Sequence, residues 1–205
     1  MNNANSVVIL DFETTGLSPN LGDRAIEIGA VKLEKGIVVD QFQALMNPEK
    51  MVSTFIESYT GITNKMLNEA IPCAEVMTNF TDFIKDHNLV AHNASFDKRF
   101  LDQELQYISS TYSGQFACSL LLSRRLYQSA PNHKLATLID YKGIASKGSY
   151  HRALYDAQMT AELWLQMIAD IKQLTKLEEV PFSLINKISK LPKAKVQKFL
   201  SNLAT

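Results

Sequence analysis

At 205 residues, 46% of them apolar and 20% charged, the chain is long enough for one sizeable core and too apolar to be disordered. Its 21 basic and 21 acidic residues cancel, which argues against an affinity resting on a large, uniformly positive phosphate-binding surface. Five lysines, Lys187, Lys190, Lys193, Lys195 and Lys198, crowd the C-terminal segment while no acid follows Glu179, so the remainder is net acidic by about five charges. Cys73 and Cys118 are isolated and lack disulfide-framework or zinc spacing. With no basic leader and no apolar stretch near the roughly 20 residues of a membrane span, a cytoplasmic protein without membrane contact is expected.

In chain order, the β-branched run at 7–10 predicts a buried strand that ends at Asp11, because Gly16 and Pro19 follow closely. Segments 26–33 and 37–45 predict two further strands joined through Glu34-Lys35-Gly36, where Gly36 supplies the turn. The three together suggest an antiparallel meander. Beyond Pro72, Val76, Phe80, Phe83 and Ile84 recur at helical spacing, and Leu89-Val90-Ala91 reads as a fourth strand. Phe96, Phe100, Leu101 and Leu105 mark one face of a second helix, and Phe116-Ala117-Cys118 a fifth strand. Helices are predicted over 135–141 and 153–171, the latter with Leu154, Ala157, Ala161, Leu165 and Ile168 along one stripe. Strands first, then strands alternating with helices, is the order of an α/β mixed sheet flanked by helices. Residues 1–174 are expected to form one domain. Residues 175–205, broken by Pro181 and Pro192, are expected to form a Lys-rich tail of short amphipathic helices.

Three clusters carry chemistry. In Asp11-Phe12-Glu13, period 2 puts both carboxylates on one strand face, about 6–7 Å apart along the backbone. In a low-dielectric site such a pair must bind a proton or a cation, and magnesium and manganese favour oxygen ligands. Thr14-Thr15-Gly16-Leu17 follows as a tight turn whose backbone could approach a nucleotide. The second cluster runs from His92 through Asn93 to Phe100; it places Asp97 in the first turns of a helix, where the dipole favours a carboxylate, and Asn93 at a cap or turn. In the third, at 150–157 after the mobile-looking stretch 146–149, Asp156 sits about one turn inside a helix and His151 at its mouth. That histidine titrates near neutral pH and could take a proton from a metal-acidified water. Taken singly, each cluster also reads as solvated acids, a helix cap or a surface histidine.

Together the clusters resemble the DEDD exonucleases of the DnaQ-like group, in the branch whose last motif carries histidine, which includes epsilon proofreading subunits of bacterial replicative polymerases and stand-alone relatives. Asp11 to Leu17 matches the first motif, Asn93 to Phe100 the second, and His151 with Asp156 the third at the family's five-residue spacing. Thr60-Gly61-Ile62-Thr63 is similar to the Gly-Ile segment that lines the nucleotide pocket in relatives. The resemblance covers roughly residues 6 to 170 and implies a ribonuclease H-like fold. It also implies a 3′–5′ exonuclease that removes 5′-mononucleotides from a single-stranded DNA 3′ end, in proofreading or repair.

On that reading Asp11, Glu13, Asp97 and Asp156 hold two divalent ions, Mg2+ or Mn2+, and His151 is the general base. Thr14, Thr15, Gly16, Leu17, Gly61, Ile62, Asn93 and Phe100 are the candidate substrate contacts, with Leu17, Phe100 and Gly61-Ile62 against the terminal base. The expected partners are a single-stranded 3′ end and, through the tail, a DNA polymerase or other replication or repair protein. Two alternatives stay open, an RNA 3′-end trimming enzyme and a polymerase-bound module with a vestigial site.

Overall fold

The computed structural model describes residues 3–146, 148 and 151–204. Lys147, Ser149 and Tyr150, which belong to the stretch read as mobile and to the third motif, lie outside the described residues.

Strand β1 (Val7–Thr14) is longer than the β-branched run that predicts it. It continues through Asp11 and Glu13 because β2 (Ala25–Glu34) pairs with it antiparallel as far as Thr14↔Ala25, with Asp11 opposite Gly29 and Glu13 opposite Glu27. The acids are therefore members of the sheet and not residues beyond its end. A turn with Lys35 and Gly36 both in the left-handed region (φ 52° and 81°) leads into β3 (Ile37–Asn47), the pairing that suits the twist of a tight hairpin.

Two short helices follow that hydrophobic periodicity did not reveal, α1 (Thr54–Thr60) and α2 (Asn64–Glu69), capped by Ser53 and Thr63 side chains that accept from Ile56 and Met66 N–H. The two-residue strand β4 (Ile71–Pro72) then leads into α3 (Cys73–Ile84), β5 (Asn88–Ala91), α4 (Ser95–Tyr107) and β6 (Phe116–Cys118). Helices α5 (Ser119–Leu126), α6 (Leu135–Tyr141), α7 (Ala153–Thr175), α8 (Phe182–Lys190) and α9 (Lys193–Ser201) follow.

The six strands form one sheet in the order β4-β3-β2-β1-β5-β6, antiparallel across β1, β2 and β3 and parallel from β1 to β5 to β6. This is the mixed sheet flanked by helices that the sequence order predicts. Alternation along β1 splits the core. Val8, Leu10 and Phe12 pack with Phe80, Phe100 and Leu101 of α3 and α4, while Val7 and Ile9 pack with Trp164, Met167 and Ile171 of α7. Asp11 and Glu13 share the parity of Val7 and Ile9, so period 2 turns both carboxylates toward α7.

Beyond Thr175 the amphipathic tail turns its apolar side inward. Val180, Phe182, Ile185, Ile188, Val196 and Leu200 are buried in the same cluster as Trp164, and Ala4 N–H donates to the Val180 carbonyl (2.8 Å). The Trp164 indole N–H donates to the Ala4 carbonyl (2.7 Å), so the N-terminal strap, α7 and the tail close on one another. The five tail lysines are exposed. Ile185→Ala is expected to lower stability by about 2–5 kcal/mol, as for other fully buried aliphatic side chains. Urea unfolding of the full chain checks this, and a loss near zero would mean that the tail does not share the core.

Candidate active site

The site forms where β1, antiparallel to one neighbour and parallel to the other, outruns β5. The β1–β5 ladder ends at Ile9↔Val90, leaving the Phe12 N–H without a strand partner. Asp97, in the first turn of α4, accepts it through Oδ1 at 3.2 Å. A crevice beyond the carboxyl ends of adjacent strands is where open α/β sheets place ligands.

Asp156 arrives from the other side, in the first turn of α7, and that helix can come close because residue 29 is glycine. A Cβ there would collide with the backbone of Ala153 and Leu154. The approach is locked by Glu27, which is fully buried on β2 and accepts from Arg152 Nη2 (2.8 Å) and Nε (3.2 Å), Ala153 N–H (3.1 Å) and Gln43 Nε2 (2.9 Å). A buried carboxylate so surrounded has its acceptor oxygens satisfied. Glu104 does the same for α4, with two 2.9 Å bonds from Arg24 and one of 3.1 Å from Ala25 N–H. Both helices that bring an aspartate to the site are thus fastened to β2. No local pattern in the sequence marks Glu27 or Glu104 for this role, because their partners are distant in the chain.

Electrostatically the site is frustrated. Burial, then repulsion from Asp97, Asp156 and Glu13, holds the Asp11 carboxyl well above the usual range. Burial, then Asp156 and Glu27, pushes Glu13 to about 8, with Arg152 opposing. Burial raises Asp97 to about 7 against the Phe12 hydrogen bond, and raises Asp156 against its bond from His151. Donor atoms of Glu13, His151 and Asp156 lie within 4.8 Å of one another. Hard carboxylate oxygens that resist ionising together, plus one imidazole, suit a divalent cation with oxygen preference, and no thiol lines the site.

His151 is held by its own backbone. Its φ is 69°, and its N–H donates to Asp156 Oδ2 at 2.8 Å. A histidine in the left-handed region costs about 1–2 kcal/mol, sustained here by that charge-assisted bond. Its ring lies 3.9 Å, centroid to centroid, from Tyr59, which in turn stacks on Phe55 at 5.7 Å. Phe55 and Tyr59 are i, i+4 neighbours on α1 and remain largely exposed. A pair of exposed aromatics at helical spacing was the signal in the sequence that could have found them.

A cavity of about 720 Å3 opens over these groups. Asp11, Glu13, Asp97, His151 and Asp156 line it together with Thr14, Thr15, Gly16, Leu17 and Asn93, as do Phe55, Tyr59, His92 and Phe96. Leu17 is 73% exposed at its rim. Gly16 has a reason besides access: a Cβ there would strike the Asp23 carboxylate, which accepts from the Thr15 hydroxyl (3.2 Å) and Ser18 N–H (3.0 Å) and so ties the loop together. Asn93 takes the left-handed conformation (φ 74°) and its carbonyl accepts from Phe96 N–H, the turn role predicted for it.

Three expected contacts are corrected. Phe100 is fully buried between α4 and the sheet, one helical turn from Phe96, whose ring faces the cavity in its stead. Ile62 is fully buried with Ile26, Val52 and Leu67, and Gly61 closes α1 at φ 73°. The turn before that glycine, with Tyr59 and Thr60, lines the cavity in place of Gly61 and Ile62.

Comparison with known proteins agrees with this geometry. Residues 8–164 match the RNase T family, described as exonuclease. The DNA polymerase III PolC-type of Caldanaerobacter subterraneus subsp. tengcongensis is 40% identical over 182 residues, 89% of this chain and 12% of that protein. The DNA polymerase III PolC-type of Bacillus subtilis (strain 168) is 40% identical over 165 residues, 80% of this chain and 11% of that protein. The chain thus spans about an eighth of the length of such relatives.

Exonuclease X in complex with 5′ overhanging duplex DNA has the same fold, with a TM-score of 0.69 at 24% identity over 89% of this chain and 99% of that one. The nuclease domain of 3′hExo, a DEDDh family member, bound to rAMP gives 0.68 at 24% identity over 81% and 92%. Fold and sequence together place the chain in the RNase T family of exonucleases. By class it is an exonuclease with a ribonuclease H-like fold. Among the described residues no helix is long and apolar enough to cross a membrane.

Two outcomes are expected. Because Glu13 is lifted from 4.5 to about 8, the folded, metal-free protein holds a proton that the unfolded chain releases, and stability is lost as pH rises across that window. In EDTA, Glu13→Gln should therefore melt higher than the wild type at pH 8 and match it near pH 5. Equal melting at both pH values would contradict the repulsion. Glu27→Ala should cost about 3 kcal/mol in urea unfolding, by leaving Arg152 and the α7 N-terminus without their acceptor.

Proposed function

We propose that the chain hydrolyses single-stranded DNA from its 3′ end, one 5′-mononucleotide at a time, with two divalent ions, Mg2+ or Mn2+, held by Asp11, Glu13, Asp97 and Asp156. The observation that carries this reading is the convergence of four mutually repelling carboxylates and an imidazole at one cavity with an apolar flank. When bound, the ions neutralise the charge growing on the scissile phosphate and acidify the attacking water. Asp11 is central, since its carboxylate feels Asp97, Asp156 and Glu13 at once. Glu13 and Asp156 sit beside His151 and define the water-activating side. Asp97, fixed by the Phe12 N–H, defines the leaving-group side.

His151 takes the proton of the water at a ring nitrogen, while Tyr59 limits the ring's rotation and the Asp156 bond fixes its backbone. Leu17, Phe55 and Phe96 supply apolar surface for the terminal nucleoside, and the loop from Thr14 to Gly16 lies close enough for backbone contacts. A DNA substrate and a role in proofreading or repair are supported by the 36–40% identity to PolC-type polymerases. A polymerase or another replication or repair protein is the proposed partner. With the apolar side of α8 and α9 turned into the body, the lysine face is what the tail offers it.

End-labelled single-stranded and mismatched duplex DNA, digested with Mg2+ and with EDTA, tests the reading through product size and direction. Asp11→Ala should lower the rate at least about a hundredfold and His151→Ala by about 10²–10⁴. Wild-type rates in both variants would overturn the site. Faster digestion of a matched RNA would replace the DNA reading by 3′-end trimming of RNA.

A further inference from the structure

A second cavity, of about 820 Å3, meets the first at Asp11, Tyr59, His92, Asn93, His151 and Asp156. Its chemistry is different. The first cavity adds Leu17, Phe55 and Phe96 and no Lys or Arg, whereas the second adds, beside Leu120, Leu135 and Ala136, the polar groups Arg124 at the end of α5 and Asn132, His133 and Lys134 in the approach to α6. Arg124 and Lys134 are exposed, and neither forms an ion pair with a described residue.

Their position is built. His92, held neutral because burial pushes it down to about 4, has a single ring N–H. The His133 carbonyl, 2.9 Å from Nε2, can only accept, so that N–H is spent there, and Nδ1 lies 2.9 Å from the Ser119 hydroxyl, which also reaches the Ala91 carbonyl at 3.2 Å. His133 Nε2 reaches the Tyr127 carbonyl at 3.1 Å, and Asn132 Oδ1 accepts the Lys134 N–H at 2.9 Å. The start of α5 and the loop before α6 are therefore strapped to the residue that follows β5, and the two cations line the same cavity as Asp11 and Asp156.

Resting on the exonuclease reading above, we propose that this second cavity is the track for the phosphodiester backbone upstream of the scissile bond, with Arg124 and Lys134 taking the next phosphates of the strand. The apolar cavity then receives the terminal nucleoside. A strand entering a site of four carboxylates is repelled, and a pair of unpaired cations placed one step upstream offsets that repulsion and orients the chain with its 3′ end toward the acids. It also makes the enzyme a reader of length. A dinucleotide, whose only phosphodiester is the scissile one, gains nothing from the track, whereas a trinucleotide or longer strand does.

The test compares kcat/KM on deoxy-dinucleotide, trinucleotide and longer single strands for the wild type and Arg124→Ala/Lys134→Ala, over a series of salt concentrations. The double variant is expected to lose about tenfold in the ratio of trinucleotide to dinucleotide kcat/KM. The salt slope of kcat/KM on the longer strand should flatten by about one unit for each cation removed. Arg124→Lys/Lys134→Arg, which keeps both charges, should restore most of the ratio. A double variant that lowers all substrates equally, with the wild-type ratio and slope, would show a structural role only and overturn the track. Asp11→Ala is the separate arm. Full activity there would overturn the exonuclease site itself, whereas its inactivity alongside an unchanged length ratio in the double variant would overturn the track alone.

Discussion

Four carboxylates that repel one another are held within reach, and the rest of the architecture is what keeps them there. Left to themselves Asp11, Glu13, Asp97 and Asp156 would separate or protonate, and burial makes both pressures stronger. Opposing this are two other acids whose oxygens are met by hydrogen-bond donors. Glu104 fastens α4 to the start of β2, and Glu27 fastens the start of α7 to the middle of it. One strand thereby fixes the spacing of both helices whose first turns carry the aspartates. The repulsion collected at these four carboxylates is offset by hydrogen bonds a few ångströms behind them, an arrangement suited to a cation.

The same economy governs the surroundings of the site. Gly29 gives α7 its approach and Gly16 gives Asp23 room to tie the loop, so two residues without side chains settle where charged ones stand. His151 occupies a backbone conformation that is unfavourable for histidine, stabilised by the bond to Asp156 and by a ring from α1. One flank carries aromatic and aliphatic side chains without a Lys or Arg; the other adds two cations, Arg124 and Lys134, to its apolar residues. A nucleotide is itself divided in this way into base and phosphate, and the two flanks meet at the acids.

Much of the fold was legible because hydrophobic periodicity reports burial. The strands at 26–33 and 37–45, the helices after Pro72 and Ala153, and the short strand at Phe116 all appear where the pattern puts them. Errors fell where packing, not periodicity, decides. β1 runs on through two acids because its partner strand does, and α1, α2 and α5 were not read from the apolar pattern; α1 and α2 bury little of their surface. In the site, type and spacing pointed to five groups that the fold brings to one cavity. Phe100 and Ile62 were misplaced because an apolar residue beside a motif looks the same whether it faces the core or the cavity.

By itself, the sequence determined which groups could do the chemistry: two acids at period 2 on a strand, an aspartate in the first turn of each of two helices, and a histidine five residues before the last. Those are local relations, set by covalent geometry and secondary-structure repeat. Tertiary structure alone decided that Glu27 and Glu104 are struts, that Tyr59 lies against His151, and that Arg124 and Lys134 line a second cavity with Asp11 and Asp156. Each of these joins residues far apart in the chain, and such contacts depend on how the helices pack on the sheet, which no local pattern encodes.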